Sequence, residues 1–194
     1  MNVTRTRKIT LCAIMSAMSV ILMRLGFPLP FFPPFLKLDI SDIPAAVTAF
    51  AIGPLWGAAV VLIRNLVHAF SSQTGFVGEL SNFLIGAMFV LPLGFMYQKN
   101  RTKKGAVIGL AASVICMAIA GYFVNMYITL PFYSNVMKMP LEQVVQMSQS
   151  ANSNITGLQT LLFYGITPFN LFKGALVSVL TFLIYKPLSP MLHR

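Results

Sequence analysis

Acidic residues are scarce in this chain of 194 residues, which has 4 Asp and Glu against 14 Lys and Arg. All charged residues together make up only 9% of the sequence, whereas soluble globular domains have about 25%. So few charges cannot cover the surface of a soluble domain, and 57% hydrophobic residues exclude a disordered chain. The composition therefore predicts an integral membrane protein. At about 20 residues per spanning helix, the chain has room for at most six or seven crossings and none for a soluble catalytic domain.

The sequence also lacks the residue patterns that most enzymes would need. It has no GxxxxGK[ST] phosphate-binding loop, which argues against ATP hydrolysis by that machinery. Its two histidines and two cysteines lack the spacing of a metal site, and no nucleophile–base pair stands out. The acidic residues fall in predicted loops or at the outer ends of helices, so no carboxylate pair lies at mid-depth in the membrane. These acidic residues are Asp39, Asp42, Glu79 and Glu142. The sequence therefore predicts no enzyme, no metal site and no proton relay.

Long apolar runs predict four spanning helices, at residues 9–26, 80–97, 105–130 and 161–185. The segment 27–44 follows the first run, and its prolines predict a stiff, extended loop. Because this loop is unusually rich in Phe and Leu, we expect it to be buried in the membrane interface or over a cavity. A second long connection, residues 131–157, is predicted to contain a short helix that starts at Pro140.

Residues 43–70 allow two interpretations, one long kinked helix or two short helices that turn at Gly53–Pro54. With a turn, the chain crosses six times, and its basic residues concentrate on the side of both termini. A single helix would instead place the basic segment 98–105 outside, against the positive-inside rule. The basic residues on the side of the termini would be Arg5, Arg7, Lys8, Lys99, Arg101, Lys103, Lys104, Lys186 and Arg194, against Arg24, Lys37 and Lys138 on the other side.

We therefore expect an all-α integral membrane protein with six transmembrane helices and both termini cytoplasmic. Residues 1–194 would form a single membrane domain in a prokaryotic plasma membrane. Since the basic residues lie mainly between apolar runs, they are better interpreted as topology signals than as a nucleic-acid-binding surface.

Lys173 is the most informative single residue, because it lies 13 positions before Lys186, or about 20 Å along a helix. It is too deep to reach the inner membrane surface, and an intramembrane Lys costs about 2.5–3.5 kcal/mol. Some polar group must solvate it. Asn170 lies on the same helix face, and Asn125 in the preceding span could face it. These groups could bind a small ligand or form a structural hydrogen-bond cluster, and we favour a ligand site.

Other polar and aromatic residues have less specific interpretations. Arg64, with Asn65 and His68, is expected to form buried ion pairs with Asp39, Asp42 or Glu79. Glu79 could cap a helix start, or it could also face a pocket. Aromatic side chains could stack on a flat ligand or be ordinary lipid-facing residues, and these are Phe123, Tyr127, Phe132, Tyr133 and Phe169.

Four segments together resemble the riboflavin-binding branch, the RibU family, of the substrate-binding S-components of energy-coupling factor (ECF) vitamin transporters. They are 35-FLKLDISDIPA-45, 53-GPLWGAAVVLIRNLVH-68, 78-GELSNFLIGAMFVLP-92 and 167-TPFNLFKG-174. The resemblance covers essentially the whole chain, including its size and its basic ends.

This resemblance implies a six-helix subunit that binds riboflavin as the transported ligand near its outer face, without a cofactor, under the loop 27–40 as a lid. Its implied partners are a membrane coupling subunit and two ATPase subunits. On this resemblance, Asn125, Asn170 and Lys173 match the family's polar flavin contacts, while Glu79 and Asn82 match its GELxNF pattern. With the aromatic candidates Tyr127 and Phe169 and with Leu36, Lys37 and Asp39 from the loop, these are the ten predicted ligand-binding residues. Ala13 and Ala17 match the AxxxA stripe with which the family docks on the coupling subunit. Small residues at this spacing let another helix approach closely.

Three other functions remain open at this point. The chain could bind another vitamin, such as thiamine, folate or pantothenate, although the cationic Lys173 disfavours cationic thiamine. An autonomous secondary transporter would need ion-coupling acids at mid-depth and usually an internal repeat. A small membrane enzyme would need a nucleophile–base pair or metal ligands in the bundle, and the sequence offers neither.

Overall fold

The computed structural model describes residues 4–192, with side chains described as far as residue 184, so Arg194 lies outside the described residues. Among these residues, four helices are long and apolar enough to cross a membrane, at Arg5–Arg24, Val77–Lys99, Lys103–Asn135 and Leu158–Ile184. The shorter apolar helices Asp42–Ile52 and Pro54–Ala69 lie between the first two. The expected all-α membrane protein is confirmed at this level.

The helical elements, in chain order, are α1 (Arg5–Arg24), α2 (Asp42–Ile52), α3 (Pro54–Ala69), α4 (Val77–Lys99), α5 (Lys103–Val124), α6 (Leu130–Asn135), α7 (Leu141–Gln149), α8 (Leu158–Thr160) and α9 (Thr167–Leu192). Two π-helical segments interrupt the long helices. Asn125–Thr129 joins α5 to α6, and Leu161–Ile166 joins α8 to α9. Wider π turns of this kind occur frequently at functional sites.

The predicted turn at Gly53–Pro54 is confirmed, because α2 ends at Ile52 and α3 begins at Pro54. Gly53 has a φ of +115°, a conformation that a residue with a Cβ atom rarely adopts. Pro54 lacks a backbone N–H and so fits the first turn of α3, where that donor would have no helical partner. The two short helices therefore pack as a helical hairpin.

Helix α2 is the central element of the bundle and packs against α1, α3, α4 and α9. Every residue from 42 to 50 is buried, and Ala45, Ala46 and Ala49 have no exposed surface. The approach of α3 is so close that a Cβ atom at Gly57 would lie 2.8 Å from the carbonyl oxygen of Ala45. Small side chains allow this contact, since helices in a membrane associate mainly through close packing.

The loop after α1 is a short hairpin, which refines the expectation of a simple extended segment. Its strands β1 (Phe27–Pro28) and β2 (Lys37–Leu38) are antiparallel, with Phe27 opposite Leu38. The turn between them packs on the start of the last helix: the Phe32 ring lies 5.4 Å from the Phe169 ring, centroid to centroid. A Cβ atom at Gly165 would lie 2.9 Å from Pro33 Cγ. The expected burial of this apolar loop thus occurs against α9.

The helix predicted to begin at Pro140 is confirmed as α7, with Pro140 as its N-cap residue. The apolar side of α7 joins a second hydrophobic core at the same end of the bundle as the hairpin. Its buried members are Leu130, Val144, Val145, Ile155, Leu161, Leu162 and Ile166. Phe35 and Leu36 from the hairpin pack against this core, so the 131–157 segment supports the loop as well as the bundle.

Candidate functional site

A cavity of about 380 Å³ opens where α1, α3 and α6 end and where α4 begins; we call this end of the bundle the cavity end. Volumes of about 300–1,000 Å³ are typical of small-molecule sites. Nine of the ten predicted ligand-binding residues line it: Leu36, Lys37, Asp39, Glu79, Asn82, Asn125, Phe169, Asn170 and Lys173. The hairpin, α4, α5 with its π segment, and α9 contribute these side chains.

Tyr127 is the one predicted ligand-binding residue that the structure does not bring to the cavity. Its side chain is 65% exposed, and its ring stacks on Phe123 with an interplanar angle of 3°. Phe123 is likewise exposed, so this pair faces outward from α5 and the π segment that follows it. Of the other aromatic candidates, Tyr133 and Phe169 do line the cavity.

Lys173 is solvated differently from the sequence expectation. Its Nζ donates to Asp39 Oδ2 at 2.8 Å, and both side chains are buried. The expected amide partners bond instead to their own helices: Asn170 Nδ2 donates to Ile166 O at 2.9 Å and Asn125 Nδ2 to Gly121 O at 2.8 Å. A carboxylate is the stronger partner for an ammonium group in a region of low dielectric constant. The ion pair therefore replaces the predicted Lys–amide cluster.

The two amides still contribute to the cavity wall. Within the part of the chain that the structure describes, the side-chain oxygens of Asn125 and Asn170 accept no hydrogen bond. Each amide is oriented by its own helix, so its oxygen is a fixed acceptor that a ligand could use. A Cβ atom at Gly121 would lie 2.5 Å from Asn170 Nδ2, so the absence of a side chain there leaves room for the Asn170 amide.

A second ion pair lies directly behind the first. Arg64 Nη2 is 2.9 Å from Asp42 Oδ1, which confirms the expected buried pairing of Arg64. Arg64 Nη1 also donates to Ser41 Oγ at 2.7 Å, while the backbone N–H and the hydroxyl of Ser41 both donate to Asp39 Oδ1. Lys173 Nζ lies 3.6 Å from Asp42 Oδ2 and so joins the pairs. We call these residues the charge network.

The charge network carries two acids and two cations, so its formal charge is zero. Asp39 lies in the hairpin loop, outside the spanning helices. Burial alone would raise the pKa of its carboxyl group, but the Lys173 ammonium and the Arg64 guanidinium hold that pKa below its ordinary value. The loop is thus bound to α3 and α9 through charged hydrogen bonds, which are stronger than neutral ones.

Glu79 combines both roles that the sequence left open. It lies in the first turn of α4, where a negative charge suits the positive end of the helix dipole, and it lines the cavity. Its Oε1 is 2.9 Å from His68 Nδ1, and its Oε2 accepts hydrogen bonds from Ser72 Oγ at 2.7 Å and Thr74 Oγ1 at 3.3 Å. These contacts fix the carboxylate at the rim.

Sequence reasoning missed the cavity residues from the α3–α4 connection, Ser71, Gln73 and Thr74. They belong to a polar turn without a distinctive spacing, so no sequence signal marked them. Among the described residues, no group of three His, Cys, Asp or Glu side chains could hold a metal ion. The cavity itself combines apolar walls with a few fixed polar groups, a lining that suits a small organic ligand.

Ala13 and Ala17 lie on the exposed face of α1, away from the cavity. An adjacent face of the same helix buries Cys12, Ser16 and Ser19. Within the described chain, the alanine stripe is therefore not used for internal packing. It leaves a shallow surface where another helix could approach closely.

Comparison with known proteins gives consistent similarities over nearly the whole chain. The family model described as "ECF transporter, substrate-specific component" matches residues 7–185. The chain is 32% identical over 194 residues to "Riboflavin transporter RibU" of Staphylococcus aureus (strain TCH60), covering 100% of this chain and 96% of that one. It is 33% identical over 193 residues to "Riboflavin transporter FmnP" of Bacillus subtilis (strain 168), covering 98% and 96%.

One solved structure is similar in both sequence and fold. It is described as the S component of a bacterial ECF transporter, and it superposes with a TM-score of 0.77 at 31% identity. The match covers 98% of this chain and 100% of that chain.

The charge network predicts a specific pattern of stabilities. Arg64→Met should lower the thermal stability strongly, because it leaves Asp42 as a buried charge without its closest partner; breaking a buried pair in this way costs about 3–5 kcal/mol. Thermal unfolding of the purified protein in detergent, followed by circular dichroism, measures this effect. Adding Asp42→Leu to Arg64→Met should recover much of the loss, because the unpaired charge is gone.

Arg24→Met is the matched control, since Arg24 is exposed and its guanidinium donates to Ser71 Oγ, which is also exposed. It should change the melting temperature little. Equal destabilisation by Arg64→Met and Arg24→Met would contradict the assigned role of the charge network.

Proposed function

The chain belongs to the substrate-specific component family of ECF transporters, and on that premise we propose that it is the membrane subunit that binds riboflavin for uptake. The family is a transporter component rather than an enzyme. The observation that supports this proposal best is the cavity itself, whose wall combines two amides held by their own helices and the Lys173–Asp39 pair with apolar and aromatic side chains. We propose that residues 1–194 act as one membrane domain.

The chemistry of the cavity suits riboflavin. Its isoalloxazine ring is flat and apolar on its faces, with a polar pyrimidine edge that has one N–H donor and several acceptors. The amide oxygen of Asn125 or of Asn170 can accept from that N–H, the other amide oxygen can accept from a hydroxyl of the ligand's side chain, and Lys173 can donate to a ring carbonyl. Phe169 and Leu36 supply apolar surface for the ring faces. Glu79 and Asn82, at the start of α4, are placed to bind the hydroxylated chain, as is Lys37 from the hairpin.

Two substitutions test the proposed contacts of Lys173 and Asn170 with the ligand. Lys173→Met and Asn170→Ala should each weaken riboflavin binding, and for the charged group a loss of about 1.5–3 kcal/mol corresponds to roughly 10- to 150-fold. Quenching of riboflavin fluorescence during titration of the purified protein measures the dissociation constant. Asn170→Ala is included because it leaves the Lys173–Asp39 pair intact, so a lost ion pair cannot explain its effect.

Lys104→Met is the control for loss of a lysine, since Lys104 is exposed at the opposite end of the bundle. It should bind riboflavin like the unmodified protein. Unchanged affinity in both Lys173→Met and Asn170→Ala would refute this placement of the ligand. An absence of quenching by the unmodified protein would refute riboflavin as the ligand.

We propose that the hairpin, residues 27–40, closes over the bound ligand as a lid. Support comes from its two attachments. Asp39 at its base forms an ion pair with Lys173. Phe32 at its tip packs on Phe169, and the centroid of the Phe32 ring also lies 6.1 Å from that of Phe172 on the same helix. The base is thus held by charge and the tip by aromatic packing. The tip is the weaker attachment, so it is the part that we expect to open.

Phe32→Ala should therefore speed riboflavin release. Aromatic pairs contribute about 0.5–1.5 kcal/mol beyond their burial, which corresponds to a dissociation rate roughly 2- to 12-fold faster. Stopped-flow recovery of riboflavin fluorescence, after the complex is mixed with an excess of a non-fluorescent flavin analogue, measures the rate. Phe31→Ala is the control, because Phe31 is 64% exposed and touches only the Phe32 ring among the described aromatic contacts. Equal release rates for the two variants would argue against a gating role for the tip.

We also propose the topology and assembly that such a subunit requires. Six crossings, with α2 and α3 as two short spans, put the cavity end outside and both termini in the cytoplasm of a prokaryotic plasma membrane. Uptake is energised by a membrane coupling subunit and two ATPase subunits, since this chain has no phosphate-binding loop. The exposed stripe of Ala13 and Ala17 on α1 is the surface that docks on the coupling subunit.

Larger side chains at Ala13 and Ala17 should prevent assembly with the coupling subunit without changing riboflavin binding. A double variant, Ala13→Leu with Ala17→Leu, should bind riboflavin normally but lose co-purification with the coupling subunit, because bulky side chains prevent close helix approach. Co-expression of the four subunits with an affinity tag on this chain measures the assembly. Ala111→Leu, the same replacement at one exposed position of α5, should assemble normally. Intact assembly of the double variant would place the docking surface elsewhere.

A further inference from the structure

The acidic residues of this molecule are confined to one end, whereas basic residues lie at both. The chain has only four acidic residues, and all of them lie at the cavity end. Asp39, Asp42 and Glu79 belong to the site described above, while Glu142 is on α7, which packs against the π segment Leu161–Ile166. The other end, which we call the basic end, has a group of cationic side chains: Arg5, Arg7, Lys8, Lys99, Arg101, Lys103 and Lys104.

Packing contacts place these cations together although they come from separate parts of the sequence. Cys12 Sγ lies 3.9 Å from the carbonyl oxygen of Trp56, which aligns the first half of α1 with the start of α3. A Cβ atom at Gly94 would lie 2.7 Å from Pro54 Cα, and one at Gly53 would lie 2.7 Å from Gln98 Nε2. The start of α1, the α2–α3 turn and the end of α4 therefore meet at one end. The short connection to α5 adds Lys103 and Lys104.

The cations at the basic end have no acidic partner, because every acid in the chain lies elsewhere. Six of the seven are exposed, and Lys8 is partly exposed. Seven cations without a carboxylate create a strongly positive local field that attracts anions.

Apolar residues next to these cations show what kind of surface they face. Exposed hydrophobic side chains lie about one turn deeper on the same helices: Ile9 on α1, Phe95 on α4, and Val107 and Ile108 on α5. These three helices are long and apolar enough to span the membrane. Their outward residues therefore contact acyl chains, and the cations just beyond lie at the depth of the headgroups.

We propose that the basic end is a binding surface for the headgroups of anionic phospholipids such as phosphatidylglycerol. The cations are spread over the ends of three membrane helices, directly above lipid-facing apolar side chains, and this arrangement fits a ring of lipids better than one acidic protein. Lys and Arg at such positions are attracted to anionic bilayer surfaces. The bound lipids hold the ends of α1, α4 and α5 at a fixed depth. This inference is independent of which vitamin occupies the cavity.

The test compares two variants of the α4–α5 connection in the purified protein. In one, Lys99, Arg101, Lys103 and Lys104 are all replaced by Gln; in the other, each Lys becomes Arg and the Arg becomes Lys, so the charge is kept. Phosphatidylglycerol or phosphatidylcholine is titrated into protein in neutral detergent. Native mass spectrometry counts the bound lipids, and thermal unfolding reports the stabilisation that they provide.

The unmodified protein and the charge-preserving variant should bind phosphatidylglycerol at least about tenfold more tightly than phosphatidylcholine, and this preference should weaken in high salt. The Gln variant should lose most of the preference. Soluble glycerol 3-phosphate should not compete at the same concentration, since it lacks the acyl chains. Riboflavin titration of the Gln variant should match that of the unmodified protein, which shows that its cavity is intact.

The proposal is overturned if the Gln variant keeps the full preference for phosphatidylglycerol. It is also overturned if no protein distinguishes the two lipids, or if glycerol 3-phosphate competes as well as the lipid, which would indicate a site for a soluble anion. Loss of coupling-subunit capture by the Gln variant, with its lipid preference unchanged, would instead identify the basic end as a protein-docking surface. If none of the three proteins binds riboflavin, the proposed function is refuted, but the conclusion about lipid binding at the basic end is unchanged.

Discussion

The ion pair between Lys173 and Asp39 joins two parts of the chain that are 134 residues apart, and the arrangement of the cavity depends on it. Lys173 alone would be an uncompensated charge in the middle of a membrane helix. Asp39 alone would be a carboxylate buried at the base of a loop. Together with Asp42 and Arg64 they form a neutral unit, and the loop must fold back onto the bundle for that unit to form. Charge compensation therefore determines where the hairpin lies, and hence where the cavity is.

The small residues of the bundle make this compensation possible. Asp42 is in the first turn of α2, so its position depends on how closely α2 packs on α3 and α4. Ala45, Ala46 and Ala49 allow α2 to be the central helix, and the turn at Gly53 brings Arg64 on α3 back to the level of Asp42. At Gly86 on α4, a Cβ atom would lie 3.2 Å from both Arg64 Nη2 and Asp42 Oδ1. Close helix packing and ion pairing are thus parts of one arrangement.

Features that depend on residues close together in the sequence were predicted better than contacts between residues far apart in the sequence. The spanning helices and the start of α7 depend on neighbouring residues, and the sequence predicted them. The α2–α3 turn was predicted instead from the distribution of basic residues between the two sides of the membrane. The Arg64 pairing followed from the rule that buried charges need partners. The Lys173–Asp39 pair did not, since sequence alone cannot tell which distant side chain approaches a lysine, and nearby amides were the obvious candidates. The prediction that Tyr127 binds the ligand was wrong for a similar reason. The π segment that begins at Asn125 changes the direction in which the side chains after it point.

The neutrality of the charge network also changes the argument about ligand choice. The sequence interpretation used the positive charge of Lys173 against thiamine, but Asp39 cancels that charge in the structure. The stronger argument is that the deep part of the cavity has no net charge to offer any ligand. Thiamine is a cation, and folate and pantothenate are anions, so each would bring an uncompensated charge next to buried ion pairs and would compete with one of them. Riboflavin is uncharged and can use the fixed amide oxygens of Asn125 and Asn170 without disturbing those pairs, which is the physical reason to favour it among these vitamins.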